Sequence, residues 1–297
     1  MTSTHTDVGL TGLFGHPIAH SLSPVFMNYI FRKLRLNSVY IAFDIPPAKI
    51  SRALHTLKIL NFQGINVTIP FKQIAYEAVD TLSDDAKLIG AVNCIVNENG
   101  KLAGQNTDHL GFVKSLEDRK VSMSGKSAIL IGCGGAARSA LYALVKKGIK
   151  DVSLINRTER NATHFIQWAG EKLGFRQITY TGDRTALSQS LLNGSDLLIN
   201  TTPVGMFPDI NKNPLPEGLK LSSRHVVYDL IYNPWKTGLL KKAEHEGALI
   251  INGFEMLILQ GLYSLAHWFP DMAHKIFSIK DKVIRYTRKK QNYANEK

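Results

Sequence analysis

Cysteine is scarce in this sequence, and long apolar runs are missing from it. Only two of the 297 residues are cysteines, Cys94 and Cys133, and each lies in a polar or glycine-rich motif. This content argues against a disulfide framework and favours a reducing compartment. No stretch approaches the roughly 20 apolar residues of a membrane-spanning helix, and the opening MTSTHTDVGL lacks the apolar core of a signal peptide. We therefore expect a cytoplasmic protein with no membrane partner.

The signatures of common nucleic-acid-binding modules are missing as well. The net charge is +12, but residues 271–297 alone hold eight Lys or Arg against three acids. Apolar periodicity predicts that an amphipathic helix begins this segment and presents its basic residues to solvent; the periodic residues are Ile276, Ile279, Val283 and Ile284. We expect no nucleic-acid partner, although that alternative would predict steep salt dependence. A phosphorylated cofactor and an anionic substrate also suit a basic protein.

What is present is the composition of a packed α/β protein. Apolar residues make up 44% of the chain and charged residues 20%, and the length favours about two domains. Strands are predicted at 39–43, 64–68, 93–96, 128–131, 152–155, 196–200 and 226–230, and helices at 24–34, 254–269 and 272–290. The last helices return to the first domain, so the sequence predicts an inserted domain rather than a terminal one.

A glycine-rich turn links the strand at 128–131 to a helix. It reads Gly132-Cys133-Gly134-Gly135-Ala136-Ala137, in the strand–turn–helix context that a dinucleotide-binding turn requires. Gly132 permits a tight turn, Gly134 lets a pyrophosphate approach the backbone, and Ala137 lets the helix pack on the sheet. The alternative is a glycine-rich helix start that binds nothing, which the βαβ setting disfavours.

The second strand of this unit ends in Asn156-Arg157-Thr158. NAD-preferring folds usually place an acid there to accept a hydrogen bond from the ribose 2′-hydroxyl, and this sequence has none. The guanidinium of Arg157 can pair with a 2′-phosphate, and Thr158 can donate a further hydrogen bond. The turn therefore favours NADP over NAD, with a plain surface charge as the alternative for Arg157.

Short polar motifs in the first third of the chain are ambiguous when each is taken alone. Ser21 and Ser23 suit a polyhydroxylated or carboxylate ligand, but Ser23 followed by Pro24 is equally typical of a helix N-cap. Lys72 can serve as a proton donor, although most lysines are merely solvated. Turns such as those of Asn93 and Asp108 need no catalytic explanation.

In combination, these motifs resemble those of the shikimate dehydrogenase family. The matching segments are GHPIAHSLSP, NVTIPFK, GAVN, NTD, GCGGAA, NRT, NTTPVGM, YDLIYNPWKT and residues 253–260, in the same order and over nearly the whole chain. The resemblance implies reversible, NADPH-dependent reduction of 3-dehydroshikimate to shikimate, in the pathway to aromatic amino acids. It implies two domains: a substrate-binding α/β domain of residues 1–108 completed by 254–297, and a Rossmann-type NADP-binding domain of residues 109–253 with a parallel sheet.

The resemblance also implies a role for individual residues. Lys72 and Asp108 form the catalytic pair, and which of them transfers the proton stays open. Substrate binding is implied for Ser21, Ser23, Thr68, Asn93, Tyr232 and Gln260. NADP(H) binding is implied for Gly132, Gly134, Gly135, Ala136, Ala137, Asn156, Arg157, Thr158, Arg160, Thr201, Thr202, Val204, Met206 and Gly253. For Met206 a role in core packing is an equal alternative. No metal is implied, and we expect a monomer or a homodimer.

The sequence departs from the family pattern at two places that bear on ligand binding. The second basic residue of the 2′-phosphate turn usually stands where this chain has Asn161, and Arg160 lies one position earlier. Glu255 replaces a frequent glycine. If Glu255 faces the ligand it repels an anion; if it faces away, it is an acid at a helix start, which the helix dipole favours.

Two rival functions follow from the same residues. A quinate or quinate/shikimate dehydrogenase using NAD or NADP resembles this family throughout, but Thr68 and the Asn156-Arg157-Thr158 turn favour shikimate and NADP. A non-catalytic ligand-sensing homologue has no chemical reason to keep both Lys72 and Asp108. The sequence therefore favours the NADP-dependent shikimate dehydrogenase.

Overall fold

The computed structural model describes residues 8–60 and 62–295. Contacts divide the chain into two compact units: unit 1 comprises residues 1–111 and 257–297, and unit 2 is the inserted stretch 112–256. The sequence predicted domain boundaries after residues 108 and 253, three residues before the observed boundaries after residues 111 and 256. Both observed boundaries lie inside helices, where no change of composition marks the end of a domain.

Unit 1 is built on a mixed sheet of six strands. They are β1 (Gly9–Gly15), β2 (Ser38–Asp44), β3 (Gly64–Val67), β4 (Thr81–Leu82), β5 (Cys94–Glu98) and β6 (Lys101–Gln105), in the spatial order β2-β1-β3-β5-β6-β4. The helices among them are α1 (Ser23–Leu34), α2 (Ile50–Ile59), α3 (Lys72–Ala78), α4 (Asp84–Ile89) and α5 (Asp108–Glu117). Parallel pairing joins β1 to β2 and β3, whereas β3 and β5 are antiparallel.

The core of unit 1 follows from simple apolar spacing. All four residues of β3 are buried, as expected for a central strand covered on both faces. In α2 the buried residues are Ile50, Leu54 and Leu57, which fall on one side of a helix with 3.6 residues per turn. These side chains pack in one cluster with Ile65 and Phe71, so β3 and the turn after it are firmly anchored.

Unit 2 contains a fully parallel sheet of six strands. They are β7 (Ser127–Ile131), β8 (Asp151–Ile155), β9 (Ile178–Gly182), β10 (Leu197–Asn200), β11 (Val226–Asp229) and β12 (Leu249–Asn252), in the order β12-β11-β10-β7-β8-β9. The helices α6 (Gly135–Lys146), α7 (Glu159–Leu173), α8 (Gln189–Asn193) and α9 (Gly238–His245) connect or follow them. The chain winds outward from β7 to β9 and then from β10 to β12, which is the Rossmann order with its switch point between β7 and β10.

Both faces of this parallel sheet are covered. Residues of β7 divide between two apolar clusters, Ala128 and Leu130 in one and Ile129 and Ile131 in the other. Such strands read as continuous apolar runs, which explains why the sequence pattern was clear here. In α6, alanines that include Ala137 are fully buried and let the helix backbone approach the sheet.

The chain ends in three helices rather than the two expected from the sequence. They are α10 (Phe254–Trp268), α11 (Ala273–Ser278) and α12 (Lys280–Asn295). The single helix predicted at 272–290 is wrong, because the chain leaves the helical ladder at Ile279. The break lets α11 and α12 both contact α1, with Ile276 buried on the first and Val283 on the second.

The basic residues of α12 lie on its exposed side, which confirms the predicted solvated face. Lys282, Arg285 and Lys290 are exposed, while Val283 and Thr287 are buried. Among the helices of the described residues, none combines the length and the apolar content needed to cross a membrane. Both cysteines are free thiols.

Candidate active site

Lys72 and Asp108 lie in direct contact in unit 1. Each is the first residue of a helix, Lys72 of α3 and Asp108 of α5. The Nζ of Lys72 donates a hydrogen bond to Oδ2 of Asp108 at 2.5 Å. The two side chains are only 14% and 7% exposed, so the ion pair is shielded from water and its electrostatic interaction is strengthened.

The amide of Asn93 orients the carboxylate of Asp108. The Nδ2 of Asn93 donates to Oδ1 of Asp108 at 2.9 Å and lies 3.2 Å from Oε1 of Gln260 on α10. The Oδ1 of Asn93 accepts from the backbone N–H of Thr107 at 2.6 Å. Both oxygens of Asp108 are therefore occupied, one by an ammonium and one by an amide, and the carboxylate cannot rotate without breaking one of these bonds.

Thr68 directly follows β3, and its backbone is fixed while its hydroxyl is not. The backbone N–H donates to the carbonyl of Phe14 at 2.9 Å. A Cβ at Gly15 would lie 2.5 Å from Cγ2 of Thr68, so the neighbouring strand can approach only because it carries glycine there. Within residues 8–60 and 62–295 the Thr68 hydroxyl has no hydrogen-bond partner, which leaves it available to a ligand.

The two serines before α1 have different local roles. Oγ of Ser21 accepts from the backbone N–H of Ser23 at 3.2 Å, which shapes the turn. Ser23 is the first residue of α1, and Leu22 occupies the N-cap position without a side-chain capping bond. The alternative of Ser23 as the N-cap is therefore wrong, because a different residue holds that position. The hydroxyl of Ser23 instead lies close to the hydroxyl of Tyr40.

The glycine-rich turn of unit 2 requires glycine at its first position. Gly132 has a φ of +102°, and a Cβ there would lie 2.6 Å from Oγ1 of Thr201 and 2.9 Å from Cγ2 of Thr202. The Thr201 hydroxyl donates to the carbonyl of Ile131 at 2.7 Å. The turns that follow β7 and β10 therefore touch at the switch point, where doubly wound sheets bind their ligands.

The start of α6 is open and fits a phosphate group. Gly134 is the N-cap residue, no described side chain caps the helix, and no atom lies within 4 Å of a Cβ built at Gly134. The first amides of a helix have no intrahelical acceptor, here including those of Gly135, Ala136 and Ala137. Open space in front of unpaired N–H groups is the geometry of an anion site.

The turn after β8 presents two guanidinium groups. Asn156 holds the turn, since its Nδ2 donates to the carbonyl of Thr158 at 2.8 Å and its backbone N–H donates to the carbonyl of Gly182 at 2.9 Å. Arg157 and Arg160 are exposed, and neither has a hydrogen bond or an ion pair within the part of the chain that the structure describes. Both are free to meet an anion, as a 2′-phosphate requires.

The turn after β10 is held by the side chain of Asn200. The Oδ1 of Asn200 accepts from the hydroxyl of Thr202 at 2.7 Å, and Oγ1 of Thr202 accepts from the backbone N–H of Val204 at 3.3 Å. Met206 is 41% exposed. The alternative of core packing for Met206 is therefore wrong, because the turn carries its side chain away from the core.

Sequence reasoning missed Asp229, the last residue of β11. It is fully buried and accepts from Nδ2 of Asn200 at 3.0 Å and from the hydroxyl of Thr237 at 2.7 Å. Burial raises its pKa to about 6, against the lowering effect of these hydrogen bonds. The signal that could have found it is an acidic residue inside the apolar run VVYDLI.

The remaining predicted residues lie around the ends of β11 and β12. Tyr232 is half-buried and belongs to unit 2, unlike the other predicted substrate residues, which belong to unit 1. A Cβ at Gly253 would lie 1.9 Å from the carbonyl oxygen of Leu230, so close backbone packing requires this glycine. Glu255 lies in the first turn of α10 and forms an ion pair with Arg119 at 3.0 Å.

Comparison with known proteins identifies the family. Residues 13–95 match the family model described as "Shikimate dehydrogenase substrate binding domain", and residues 115–202 match the one described as "Shikimate / quinate 5-dehydrogenase". The shikimate dehydrogenase (NADP(+)) of Methanothermobacter thermautotrophicus is 39% identical over 259 residues, which cover 87% of this chain and 90% of that protein. The chain therefore belongs to the shikimate dehydrogenase family, a family of oxidoreductases.

Solved structures give the same result for the fold. A shikimate dehydrogenase crystallised with NADP+ has a TM-score of 0.82 at 37% identity, covering 93% of this chain and 96% of that one. The enzyme of Listeria monocytogenes, with shikimate and NAD, has a TM-score of 0.80 at 32% identity, covering 92% and 96%. A quinate dehydrogenase of Corynebacterium glutamicum with NAD has a TM-score of 0.80 at 26% identity, covering 91% and 99%.

Proposed function

We propose that this protein catalyses the reversible, NADPH-dependent reduction of 3-dehydroshikimate to shikimate, a step on the way to aromatic amino acids. The observation that carries the proposal is the shielded Lys72–Asp108 pair, which Asn93 holds in one orientation in unit 1. A structural ion pair needs no unsatisfied polar group beside it. Here the free hydroxyl of Thr68, close to the start of α3, offers a further donor to a polar ligand.

The chemistry follows from the charges of the pair. NADPH, when bound, supplies a hydride to the ketone carbon of the substrate. Negative charge then develops on the ketone oxygen, and the Nζ of Lys72 stabilises that oxygen and delivers a proton to it. Asp108 holds the ammonium in place through Oδ2. In the oxidation of shikimate, the same pair accepts the proton of the substrate hydroxyl.

The remaining polar side chains of unit 1 suit a hydroxylated carboxylate. We assign the carboxylate to Ser21 and Ser23, whose hydroxyl groups can donate to it. We assign the ring hydroxyls to Thr68, Asn93 and Gln260, which offer a hydroxyl and two amides, with Tyr232 of unit 2 as a further contact. Several short-range hydrogen bonds to one small molecule would give the specificity that burial of an apolar surface alone cannot.

The cofactor we propose is NADP(H), held by unit 2. The amides of residues 134–137 face the pyrophosphate at the start of α6. We assign the 2′-phosphate to Arg157, assisted by Thr158 and Arg160, because a guanidinium makes charge-assisted hydrogen bonds to phosphate and both arginines are exposed with no partner among the described residues. The turn after β10 contacts the ribose and nicotinamide through Thr201, Thr202, Val204 and Met206, with Gly253 beside it.

One alternative shares most of these residues. The second family model includes quinate dehydrogenases, and the similar Corynebacterium glutamicum structure is a quinate enzyme with NAD. The absence of an acid in the Asn156-Arg157-Thr158 turn favours NADP over NAD. Thr68, rather than serine, favours shikimate over quinate through the family resemblance described above.

The test is a set of four reactions that pair shikimate or quinate with NADP+ or NAD+, followed by absorbance of the reduced nicotinamide. We expect fast turnover only with shikimate and NADP+. Lys72→Ala should lose about a hundredfold or more in kcat, as for removal of a general acid. Lys87→Ala is the control, since Lys87 is 57% exposed and pairs only with Asp84 among the described residues.

Other outcomes discriminate between the rivals. Preference for quinate or NAD+ would assign the protein to the quinate/shikimate group. Binding of NADP+ without turnover of either substrate would contradict the catalytic assignment and favour a ligand-sensing homologue.

A further inference from the structure

A set of polar side chains lies inside the otherwise apolar core of unit 1. Tyr40, Asn66, Thr107 and Ser264 are at most 4% exposed, and they come from β2, β3, the turn before α5, and α10. A buried polar group without a hydrogen bond destabilises the fold, because it has lost its hydrogen bonds to water. The partners of these four side chains therefore decide what the set does.

One end of the set contacts Ser23. The hydroxyl of Tyr40 donates to Oδ1 of Asn66 at 3.0 Å and lies close to the hydroxyl of Ser23. Burial holds the pKa of Tyr40 well above its usual value, so the phenol keeps the proton that it donates. The side chain of Ser23, which we assign to the substrate carboxylate, thus rests on a residue of the core.

The middle of the set passes through Asn66 and Ser264, which are 198 residues apart in the chain. Nδ2 of Asn66 donates to Oγ of Ser264 at 2.8 Å and to the backbone carbonyl of Asn93 at 3.1 Å. Ser264 donates in turn to the backbone carbonyl of Gln260 at 3.0 Å. Both the oxygen and the nitrogen of the Asn66 amide are hydrogen-bonded, so the amide cannot flip without losing bonds at each end.

The other end contacts the catalytic pair. Oγ of Ser264 lies 3.1 Å from Oγ1 of Thr107, and Oγ1 of Thr107 accepts from Nδ2 of Asn93 at 3.0 Å. Asn93 in turn donates to Asp108. A continuous path of side-chain hydrogen bonds therefore joins Tyr40, whose hydroxyl lies close to that of Ser23, to Asp108 within unit 1.

Stability alone does not explain this path. Apolar side chains of similar shape at all of these positions would leave no polar group to desolvate, and replacing both partners of a buried hydrogen bond in this way is often neutral or stabilising. A fully satisfied polar network instead restricts its members to one arrangement. One end of this network lies close to Ser23, which we assign to the substrate carboxylate, and the other end contacts Asp108, which we assign to proton transfer.

We propose that Tyr40, Asn66 and Ser264 are positioning residues that couple Ser23 to the Asn93–Asp108 end of the substrate site, so that carboxylate binding and proton transfer share one geometry. This inference rests on the proposed function. It adds residues that do not touch substrate and act through those that do.

Tyr40→Phe tests the proposal because it removes the hydroxyl and keeps the ring. KM for shikimate should rise about threefold to tenfold, the effect of a lost hydrogen bond, and KM for NADP+ should not change. The control is Tyr228→Phe in unit 2: Tyr228 is equally buried, and its hydroxyl lies 2.6 Å from Oγ of Ser115. It should lower Tm by a similar amount and leave both KM values unchanged.

A double mutant separates positioning from stability. If Tyr40 acts through Ser23, Tyr40→Phe should raise KM for shikimate in the wild-type background and have no further effect in Ser23→Ala. Fully additive effects would overturn the proposal. Ser264→Ala is a second, smaller change that tests the other end of the network. We expect it to lower kcat by about threefold or more in the wild-type background and to have no further effect on kcat in Asn93→Ala.

The outcomes also distinguish this inference from the proposed function. A wild-type protein that oxidises shikimate, with additive effects in both double mutants, would overturn the coupling and leave the function in place. A folded wild-type protein that binds NADP+ but does not oxidise shikimate would overturn both.

Discussion

Asp108 and Asp229 are the buried carboxylates of the described residues, one in each unit, and they are held in different ways. Asp108 in unit 1 faces the ammonium of Lys72 and the amide of Asn93. Asp229 in unit 2 accepts hydrogen bonds from an amide, a hydroxyl and a backbone N–H, with no cation among them. Burial raises the pKa of Asp229 to about 6.

The difference shows how each unit prepares its ligand site. In unit 1 the side chains of Lys72, Asp108 and Asn93 satisfy one another before any ligand arrives, so the catalytic pair is preorganised. In unit 2 the buried acid supports the turn after β10. The groups assigned to the dinucleotide, which are the amides at Gly134 and the guanidinium of Arg157, have no hydrogen-bond partner within residues 8–60 and 62–295. Substitutions of the catalytic pair in unit 1 should therefore affect kcat, and substitutions at the open groups of unit 2 should affect KM for the dinucleotide.

The largest effect is expected for Asp108→Asn. The amide keeps the shape of the side chain but removes the charge that holds Lys72, so kcat should fall by about a hundredfold to ten-thousandfold. Asp84→Asn is the control, since Asp84 is 95% exposed and pairs with Lys87 at the surface. Steady-state kinetics with shikimate and NADP+ measure both, and a kcat within threefold of wild type would contradict the assignment of Asp108.

Asp229→Asn should reveal the cost of a buried carboxylate without a cation. Because its pKa is raised in the folded protein, Asp229 contributes most to stability below the unfolded pKa, near 4, and that contribution is lost as pH rises through about 6. Asparagine does not titrate, and its amide can donate to Thr237 while its oxygen accepts from Asn200.

The variant should therefore gain stability relative to wild type as pH rises from 4 to 7, by no more than about 3 kcal/mol. Urea unfolding of both proteins at several pH values measures the difference. If the difference in unfolding free energy between the variant and wild type does not vary with pH, or if the variant loses stability relative to wild type as pH rises, Asp229 does not titrate in this range.

Arg157→Ala should affect the cofactor and leave the fold unchanged. Loss of a charge-assisted hydrogen bond to the 2′-phosphate should raise KM for NADP+ by about tenfold to a hundredfold, with KM for NAD+ unaltered. Arg160→Ala should act in the same direction and less strongly. Equal effects on NADP+ and NAD+ would place Arg157 elsewhere than at the 2′-phosphate.

The smallest effect is expected for Gly134→Ala. The backbone there is extended and the space around the new Cβ is open, so Tm should not change. A methyl group in front of the helix amides should raise KM for NADP+ by about tenfold. Gly170→Ala in α7 is the matched control, because its Cβ also meets no atom within 4 Å and it lies away from the turn. An unchanged KM for NADP+ in Gly134→Ala would contradict the placement of the phosphate at the start of this helix.

Local patterns predicted much of the fold. The apolar runs of β7 and β10 and the glycine-rich turn depend on neighbouring residues, and the structure has them close to the expected positions. The long helix expected over 272–290 was wrong, since the break at Ile279 depends on packing against α1. The role of Ser23 was left open by its local context, and the turn geometry decided that it does not cap α1.

The candidate site was predictable as a set of motifs but not as a set of contacts. Lys72 and Asp108 were named from two separate turns, and their 2.5 Å contact follows from the placement of α3 and α5. Tyr40 and Ser264 carried no recognisable motif, and Asp229 lay in the segment YDLIYNPWKT without being singled out. A single polar residue in an apolar run does not show what it will face.

The sequence by itself determined the family, the dinucleotide turn and the residues that carry the charges. These properties depend on residues close together in the chain, where a positive φ, a helix start or an apolar strand is a local matter. Tertiary structure decided which polar groups meet, as with Asn66 and Ser264, which are 198 residues apart. Such contacts depend on strand order and helix placement in the mixed sheet, and burial then makes each hydrogen bond obligatory, since no water can replace a missing partner.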